Sequence, residues 1–347
     1  IKPVIGSDYP FAYRNKAQFP LTKNSEGKIV TGFYRKGSHQ IETHDSCRIQ
    51  HPLLNRVMRK ILLILNNRKH KFSVYNEETH RGLLRHLVVR AGICTNQALL
   101  IMVTSRQSFT GKKRIAAGIM DGVPELVGVL QNVNPEKTNV ILGKDNILLQ
   151  GQDHYFDYIG RLKFKISPLS FFQINTLQTR KLYDVIAEFA DLSGNETVVD
   201  AYCGTGSISI YLAAQLDTGG KVIGIEEVET AVGDARENAA LNNIDNCQFI
   251  YGRVEDRLSD LIDTGIVPEL FIFDPPRKGL KGRVIDTVLS VSPDRIIYVS
   301  CNPATLARDL ARFVEFYRLK RVQPVDMFPQ TYHIECVVLL EKREKEG

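Results

Sequence analysis

The stretch "ETVVDAYCGTGSISIYLAAQL", Glu196 to Leu216, decides how the second half of the chain folds. An apolar run ends near Asp200, a loop containing Gly204 and Gly206 follows, and a segment of helical pattern comes next. This order of strand, tight loop and helix predicts one βαβ unit.

The same alternation of strand and helix continues to the end of the chain. Further strands are predicted in "KVIGIEE", "LFIFDPPRKG", "RIIYVSCN" and "ECVVLLEK". Strands that alternate with helices predict an α/β fold, a mostly parallel sheet with helices on both faces. Ligands of such sheets bind beyond the carboxyl ends of the strands. We therefore expect a catalytic domain over residues 166–347.

The first half has a different pattern. Short β-like runs alternate with polar turns, and one helical segment spans about Pro52 to Asn67. This pattern predicts an α+β domain over residues 1–165, made mainly of antiparallel strands. A chain of 347 residues is also long enough for two domains. The first domain shows no chemistry of its own, so we interpret it as a binding or supporting domain.

Charge and composition limit the partners. The net charge of +6 permits a nucleic-acid partner without requiring one. The basic residues concentrate in the first half, in "YRNKAQFPLTK", "NNRKHK", "HRGLLRHLVVR" and "GKKR". No apolar run is long enough to span a membrane, and no signal peptide opens the chain. We expect a cytoplasmic, monomeric protein; because the chain begins at Ile1, we also expect that upstream residues are missing.

The glycine loop and the next strand end indicate a nucleoside cofactor. Gly204 and Gly206 let the backbone approach a ligand, but Ser209 stands where a dinucleotide fingerprint would have a third Gly or Ala. Glu226 ends the second strand, where a carboxylate can accept hydrogen bonds from both ribose hydroxyls; it could also be an ordinary acidic strand end. Asp200 would repel phosphates and suits a sulfonium, so we predict S-adenosylmethionine.

Two further loops carry the chemistry. In "FIFDPPRKG" two prolines stiffen the loop that holds Asp274. In "YVSCNPATLARDL" a cysteine, Cys301, follows a strand end. A buried structural role is the alternative for any cysteine, but this position favours a nucleophile. Thr305 to Asp309 is interpreted as the first turn of the next helix, whose N-terminus should favour the thiolate.

A thiolate beside a methyl donor suits the chemistry of uracil. Carbon 5 of the ring is a poor nucleophile until a thiolate adds to carbon 6 and creates an enolate. A base must then remove the carbon-5 proton so that the thiol can leave. "MFPQTYHIECVVLL" offers Glu335 for this step, with His333 two residues earlier.

These motifs identify a family. Five motifs, in this order, resemble those of the RNA uracil-C5 methyltransferases that make 5-methyluridine. They are "SPLSFFQIN", "DAYCGTGSISI", "DPPRKG", "YVSCNPATLARDL" and "DMFPQTYHIE". The resemblance covers nearly the whole chain, because "YPFAYRNKAQFPL" and "GFYRKGSHQIETHDSCRIQHP" are similar to the family's central RNA-binding domain. "YRNKAQFP" and "SPLSFFQIN" look closer to the bacterial 23S ribosomal RNA branch than to the transfer-RNA branch.

The resemblance implies a role for each matching residue. Cys301 is the expected nucleophile and Glu335 the expected acceptor of the carbon-5 proton. Phe171 would stack on a uracil flipped out of its helix, and Asp274 would face both the base and the cofactor. The remaining expected cofactor-binding residues are Gln173, Tyr202, Gly204 and Glu226.

The chain departs from the family pattern in two places. Many members begin with a small β-barrel RNA-binding module, which these residues lack. Many also hold a [4Fe–4S] cluster on three closely spaced cysteines and a fourth in the central domain; only the fourth position has a match, Cys47. One thiolate cannot hold a cluster, so either upstream residues supply the partners or this branch has no cluster. The cysteines at 47, 94, 203, 247, 301 and 336 form no CxxC pair, which argues against a zinc ribbon or a disulfide framework.

Three other functions use some of the same features. A nicotinamide oxidoreductase would share the sheet, but Ser209 and the absence of hydride-transfer residues count against it. An amino-group methyltransferase normally has an aromatic residue after Pro-Pro, where this chain has Arg277. A catalytically silent RNA-binding protein would not need the Cys301 and Glu335 loops.

Overall fold

The computed structural model describes residues 1–67, 72–217 and 219–344. Most of the basic stretch "NNRKHK" and the end of the tail "EKREKEG" therefore lie outside the described residues. The chain divides into two compact units. The first unit consists of Phe11–Tyr158 and Lys165–Leu169, and the second of Ile1–Pro10, Ile159–Phe164 and Ser170–Gly347.

This division differs from the predicted boundary after residue 165 at two segments. Ile1–Pro10 belongs to the second unit, because the Ile5 N–H donates to the Pro324 carbonyl at 3.0 Å and the Ile5 carbonyl accepts from the Asp326 N–H. Lys165–Leu169 belongs to the first unit, where the carbonyls of Ser167 and Pro168 accept hydrogen bonds from Arg90. Both assignments depend on contacts far apart in sequence.

The first unit is built on one sheet with two helices among the described residues. The strand order is β3-β2-β1-β4-β5-β6-β7, and neighbours are antiparallel except β5 and β6, which are connected through α2. The elements are β1 (Lys16–Lys23), β2 (Ile29–Tyr34), β3 (Ile41–Thr43), α1 (Pro52–Leu65), β4 (Leu84–Gly92), β5 (Gln97–Thr104), α2 (Lys112–Gly122), β6 (Leu126–Val133) and β7 (Asp145–Gly151).

The core of the first unit lies between the sheet and the two helices. Apolar residues of α1 and α2, including Leu53, Ile61 and Ile119, pack with sheet residues such as Leu87 and Leu100. In the basic stretch "HRGLLRHLVVR", His80 and Arg81 are exposed, whereas the later basic residues lie in β4. This strand is buried along its whole length, and Arg85, His86 and Arg90 are each less than 5 % exposed.

A hairpin, β8 (Tyr155–Ile159) and β9 (Leu162–Ile166), lies where the chain passes between the units. The second unit then alternates helices and strands as predicted. Its elements are α3 (Thr176–Ala190), β10 (Thr197–Ala201), α4 (Ser207–Ala213), β11 (Lys221–Glu226), α5 (Glu229–Leu241), β12 (Cys247–Tyr251), α6 (Val254–Asp263), β13 (Leu270–Phe273), α7 (Gly282–Val291), β14 (Arg295–Ser300), α8 (Pro303–Phe313), β15 (Tyr317–Val325) and β16 (Glu335–Lys342).

The sheet of the second unit has the strand order β12-β11-β10-β13-β14-β16-β15. The first five strands are parallel, and β16 runs antiparallel between β14 and β15. The predicted α/β fold is therefore confirmed. The loops after β10, β11, β13 and β14 all leave from the carboxyl edge of the sheet, which brings the glycine loop and the residues Glu226, Asp274 and Cys301 to one edge.

Candidate active site

The loop after β10 turns through left-handed backbone. Tyr202, Gly204 and Gly206 have φ values of 71°, 56° and 76°. The N–H groups of Tyr202 and Cys203 both donate to the Ile225 carbonyl, which fixes the start of the turn against β11. A Cβ added to Gly204 would meet no atom within 4 Å, whereas one added to Gly206 would lie 2.8 Å from the Phe249 ring. Gly204 thus leaves open space for a ligand, and Gly206 is needed for packing.

Glu226 holds this loop through its carboxylate. One oxygen accepts from the Gly204 N–H at 3.0 Å and the other from the Val228 N–H at 2.9 Å. The acid therefore sits beside the open position at Gly204. Its predicted binding of ribose hydroxyls would use the remaining lone pairs of the same oxygens.

Asp200 lies inside the sheet beneath the loop and has no exposed surface. One carboxylate oxygen accepts from the Ser209 hydroxyl at 2.6 Å, and the other has no hydrogen-bond partner among the described residues. Burial raises the pKa of Asp200 to about 7; the Ser209 hydrogen bond opposes this shift, and the charge of Asp274 adds to it. Ser209 stands where a dinucleotide fingerprint would have Gly or Ala. Its hydroxyl instead donates a hydrogen bond to the buried Asp200.

The strand pairing brings Cys301 and Glu335 together. In the antiparallel ladder of β14 and β16, Ser300 pairs with Cys336. Cys301 directly follows Ser300 and Glu335 directly precedes Cys336, so both residues lie at the end of this ladder. Glu335 is buried, whereas Cys301 is half-buried at the strand end. The expected nucleophile and the expected base are close enough for the charge of Glu335 to raise the pKa of the Cys301 thiol, although 33 residues lie between them in the sequence.

Burial and the charge of Asp274 shift the pKa of the acids at this edge. Burial raises the pKa of Glu335 well above the usual range, and the charge of Asp274 adds to the shift. Burial also raises the pKa of Asp274 to about 7. A raised pKa makes the ionised carboxylate a stronger base, which suits removal of the carbon-5 proton.

The groups around Cys301 act against the thiolate that the following helix is expected to favour. Burial raises the pKa of the Cys301 thiol and the charges of Glu335 and Asp274 raise it further, whereas the Arg277 guanidinium and a backbone hydrogen bond of Cys301 oppose the shift. Helix α8 begins at Pro303, two residues earlier than expected, and its N-cap is Asn302, whose side chain accepts from the Ala304 N–H. The helix end is thus capped by Asn302 and not by the thiol.

A buried acid that the sequence analysis did not single out connects the Asp274 and Cys301 loops. One oxygen of Asp309, on α8, accepts from the Leu280 N–H and from the Tyr298 hydroxyl, both at 2.7 Å. The Asn302 side-chain amide donates to the Arg277 carbonyl at 3.1 Å. Together these bonds attach the "DPPRKGL" loop to the first turns of α8. An acid within a predicted amphipathic helix gave no signal of this role.

The remaining predicted residues lie in the segment before α3. Phe171 is 63 % exposed, and its carbonyl accepts from the Thr205 hydroxyl at 3.4 Å, so its ring is available beside the glycine loop. Gln173 is buried. The Asn175 amide donates to the Met327 carbonyl at 3.2 Å, which connects this segment to the loop preceding Glu335.

Cys47 lies in the first unit and is half-buried. Its N–H donates to the Asn55 side chain at 3.1 Å. Over residues 1–67, 72–217 and 219–344, no three His, Cys, Asp or Glu side chains are grouped as a metal site would require. The described residues therefore do not fit a [4Fe–4S] cluster, which needs more thiolates than Cys47 alone.

Fold and loops together define a class I S-adenosylmethionine-dependent methyltransferase. The Glu226 carboxylate beside the open position at Gly204, with Asp200 and Asp274 at the same edge of the sheet, fits a cationic sulfonium nucleoside. The chain belongs to the tRNA (uracil-5-)-methyltransferase family, whose family model matches residues 132–343. It is an RNA methyltransferase that uses S-adenosylmethionine.

Relatives and solved structures agree with this assignment. The chain is 45% identical over 346 residues to an uncharacterized RNA methyltransferase of Bacillus cereus (strain ATCC 10987 / NRS 248), covering 99% of this chain and 74% of that protein. It is 46% identical over 343 residues to one of Enterococcus faecalis (strain ATCC 700802 / V583), with the same coverage. The Pyrococcus abyssi tRNA (uracil-54, C5)-methyltransferase in complex with S-adenosyl-L-homocysteine is similar in structure, with a TM-score of 0.80 and 27% identity over 97% of this chain and 78% of that chain.

No helix among the described residues has both the length and the apolar character to cross a membrane.

Proposed function

We propose that this protein methylates carbon 5 of uridine in RNA through a covalent bond between Cys301 and carbon 6 of the base. The observation that carries the proposal is the pairing of Ser300 with Cys336 at the end of the β14–β16 ladder, which brings Cys301 close to the buried acid Glu335. A nucleophile and a nearby proton acceptor are the two groups that this reaction requires.

Each residue then has a defined task. Phe171 stacks on the flipped uracil, and Asp274, on its stiff loop, accepts a hydrogen bond from N3–H. Cys301, as thiolate, adds to carbon 6 and makes carbon 5 nucleophilic. S-adenosylmethionine, when bound, supplies the methyl group as an electrophile. Glu335 then takes the carbon-5 proton, and the electrons of that C–H bond restore the ring double bond as the Cys301 sulfur leaves carbon 6.

The raised pKa of Cys301 predicts how this reaction depends on pH. Because burial and the neighbouring acids favour the neutral thiol, the thiolate fraction should increase as the pH rises through the neutral range. The rate of adduct formation should increase with it.

For the substrate we propose 23S ribosomal RNA. The proposal is supported by "YRNKAQFP" and "SPLSFFQIN", which resemble the ribosomal branch. Transfer RNA is the second candidate, because the structurally similar Pyrococcus abyssi protein is a tRNA (uracil-54, C5)-methyltransferase. We further propose that residues 1–165 supply most of the RNA-binding surface, and that the protein is cytoplasmic and monomeric.

The test is transfer of a radiolabelled methyl group to unmodified transcripts of 23S ribosomal RNA and of transfer RNA, followed by digestion to nucleosides. We expect labelled 5-methyluridine from the ribosomal transcript. If only the transfer-RNA transcript yields labelled 5-methyluridine, the substrate is transfer RNA and the proposed methylation of carbon 5 stands. Label in methyladenine or methylcytosine would reject the chemistry.

A further inference from the structure

Three basic residues of the first unit lie together, and none of them forms an ion pair with an acid among the described residues. Lys16, the first residue of β1, pairs directly with Arg90 of β4. In an antiparallel pair such partners project from the same face of the sheet. Arg14 joins them, because its Nε donates to the Lys16 carbonyl at 3.1 Å. We call Arg14, Lys16 and Arg90 the cationic cluster.

The cationic cluster is partly shielded from water, and the groups that contact Arg90 carry no negative charge. Arg90 is 2 % exposed, and Arg14 and Lys16 are half-buried. The Arg90 guanidinium donates to the Ser167 and Pro168 carbonyls at 2.9 and 2.8 Å and lies over the Tyr155 ring. Its Nε has no partner among the described residues. Carbonyls and a ring fix the position of the guanidinium but do not cancel its charge.

No carboxylate takes part in the cluster. Over the described residues, none of its three members forms an ion pair within 4.0 Å. The charge of Asp157 raises the pKa of Tyr155, and its carboxylate accepts from the N–H groups of Ile93 and Cys94. Burial lowers the pKa of Lys16 to about 8, and the charges of Arg90 and Arg14 lower it further.

We infer that the cationic cluster is a binding site for a backbone phosphodiester of the RNA substrate. Gathering like charges away from water is costly unless an anion completes the site. Arg and Lys are the usual donors to phosphate oxygens, and the substrate of an RNA methyltransferase is a polyanion. This inference rests on the proposed function, because it places the RNA on the first unit.

The first test compares variants of one strand. Lys16→Gln and Lys23→Gln change the net charge equally, but Lys23 is exposed at the far end of β1. With a fluorescein-labelled oligouridine as probe, we expect Lys16→Gln to weaken binding about tenfold and to reduce the salt-dependence slope by roughly 0.7. We expect Lys23→Gln to change neither, and Lys16→Arg to restore both. Equal effects of Lys16→Gln and Lys23→Gln would overturn the assignment.

The second test uses the unmodified protein and needs no variant to fold. Limited acetylation at pH 8, read by mass spectrometry, should label Lys16 readily, and the oligouridine should protect Lys16 while Lys23 stays reactive. Protection by inorganic phosphate but not by the oligouridine would overturn the RNA assignment, as would unchanged labelling of Lys16. If the unmodified protein still forms 5-methyluridine in these cases, the phosphate site fails and the proposed function stands.

Discussion

Asp200 is an acid without access to water, and the protein retains it at a cost in stability. Its folded-state pKa is about 7, against roughly 3.9 for an aspartate in an unfolded chain. Above the unfolded value the unfolded chain has released the proton while the folded protein still holds it. The free energy of unfolding therefore falls as the pH rises from about 4 to about 7. Such a cost is understandable where a buried carboxylate faces a cationic ligand.

Replacing this acid with its amide should remove the cost. Asp200→Asn cannot titrate, so we expect it to be more stable than the unmodified protein at pH 8 by roughly 3–4 kcal/mol, and by much less near pH 4. Urea unfolding at both pH values measures the difference. Asp245→Asn, at an exposed acid, is the control and should change stability little at either pH. A gain from Asp200→Asn that is the same at both pH values would show that the acid is not the source.

Substitutions of Gly204 and Gly206, in the loop after β10, should have different effects on stability and on cofactor affinity. Gly204→Ala places a methyl group in open space, so the free energy of unfolding should fall by only about 1 kcal/mol from backbone strain, whereas affinity for S-adenosylhomocysteine should drop sharply. Gly206→Ala drives the methyl group into the Phe249 ring and should cost clearly more stability. Calorimetric titration and thermal unfolding of both variants separate the effects. Equal losses of stability would contradict this assignment.

At the scale of elements, the site is assembled by attaching loops to each other. Asp309 connects α8 to the loop after β13, and the end of the β14–β16 ladder brings Cys301 close to Glu335. The added Cβ of Gly279 would lie 2.4 Å from an Asp309 oxygen, so glycine is needed for this close approach. The position of the nucleophile thus depends on elements that do not touch the substrate.

Removing this connection should lower both stability and methyl transfer. Asp309→Ala leaves the Tyr298 hydroxyl and the Leu280 N–H buried without their acceptor, so we expect a loss of about 3 kcal/mol and slower methyl transfer by the folded protein. Asp286→Ala is the matched control, because its ion pair with Arg312 is exposed and should be worth less than about 1 kcal/mol. Equal losses in the two variants, measured by urea unfolding, would show that Asp309 has no special role.

At the scale of the whole molecule, local patterns were predictable and distant contacts were not. The alternation of strands and helices after residue 166, the strand ends at Glu226 and Ser300, and the loops beyond them follow from periodicity that the sequence displays directly. The burial of Arg90 depends on a strand and a loop far from it in sequence. The raised pKa of Cys301 likewise comes from burial and from the charges of Glu335 and Asp274, which only the folded sheet brings about. The predicted roles of the site residues stay predictions until variants are measured.

The N-terminal segment shows the same dependence on distant contacts. Ile5 pairs with Val325 at the end of β15, so the first residues complete the second unit. Ile5→Pro removes the N–H that bonds to the Pro324 carbonyl and should lower the free energy of unfolding by about 2 kcal/mol. Val4→Pro, at a position 60 % exposed, is the control. Thermal unfolding that is identical for the two variants would contradict this role of the segment.

The central claim is that Cys301 bonds to the base and that Glu335 acts afterwards. The most direct measurement is denaturing gel electrophoresis, with intact-mass analysis, of the protein incubated with substrate RNA and S-adenosylmethionine. Glu335→Gln should accumulate a denaturation-resistant adduct with methylated RNA, because the carbon-5 proton stays in place. Cys301→Ala should form no adduct and no product, and Cys94→Ala, at an exposed cysteine, should behave like the unmodified protein. Full methylation by Cys301→Ala would contradict the mechanism, and normal turnover by Glu335→Gln would assign the base to another residue, with His333 the first to test.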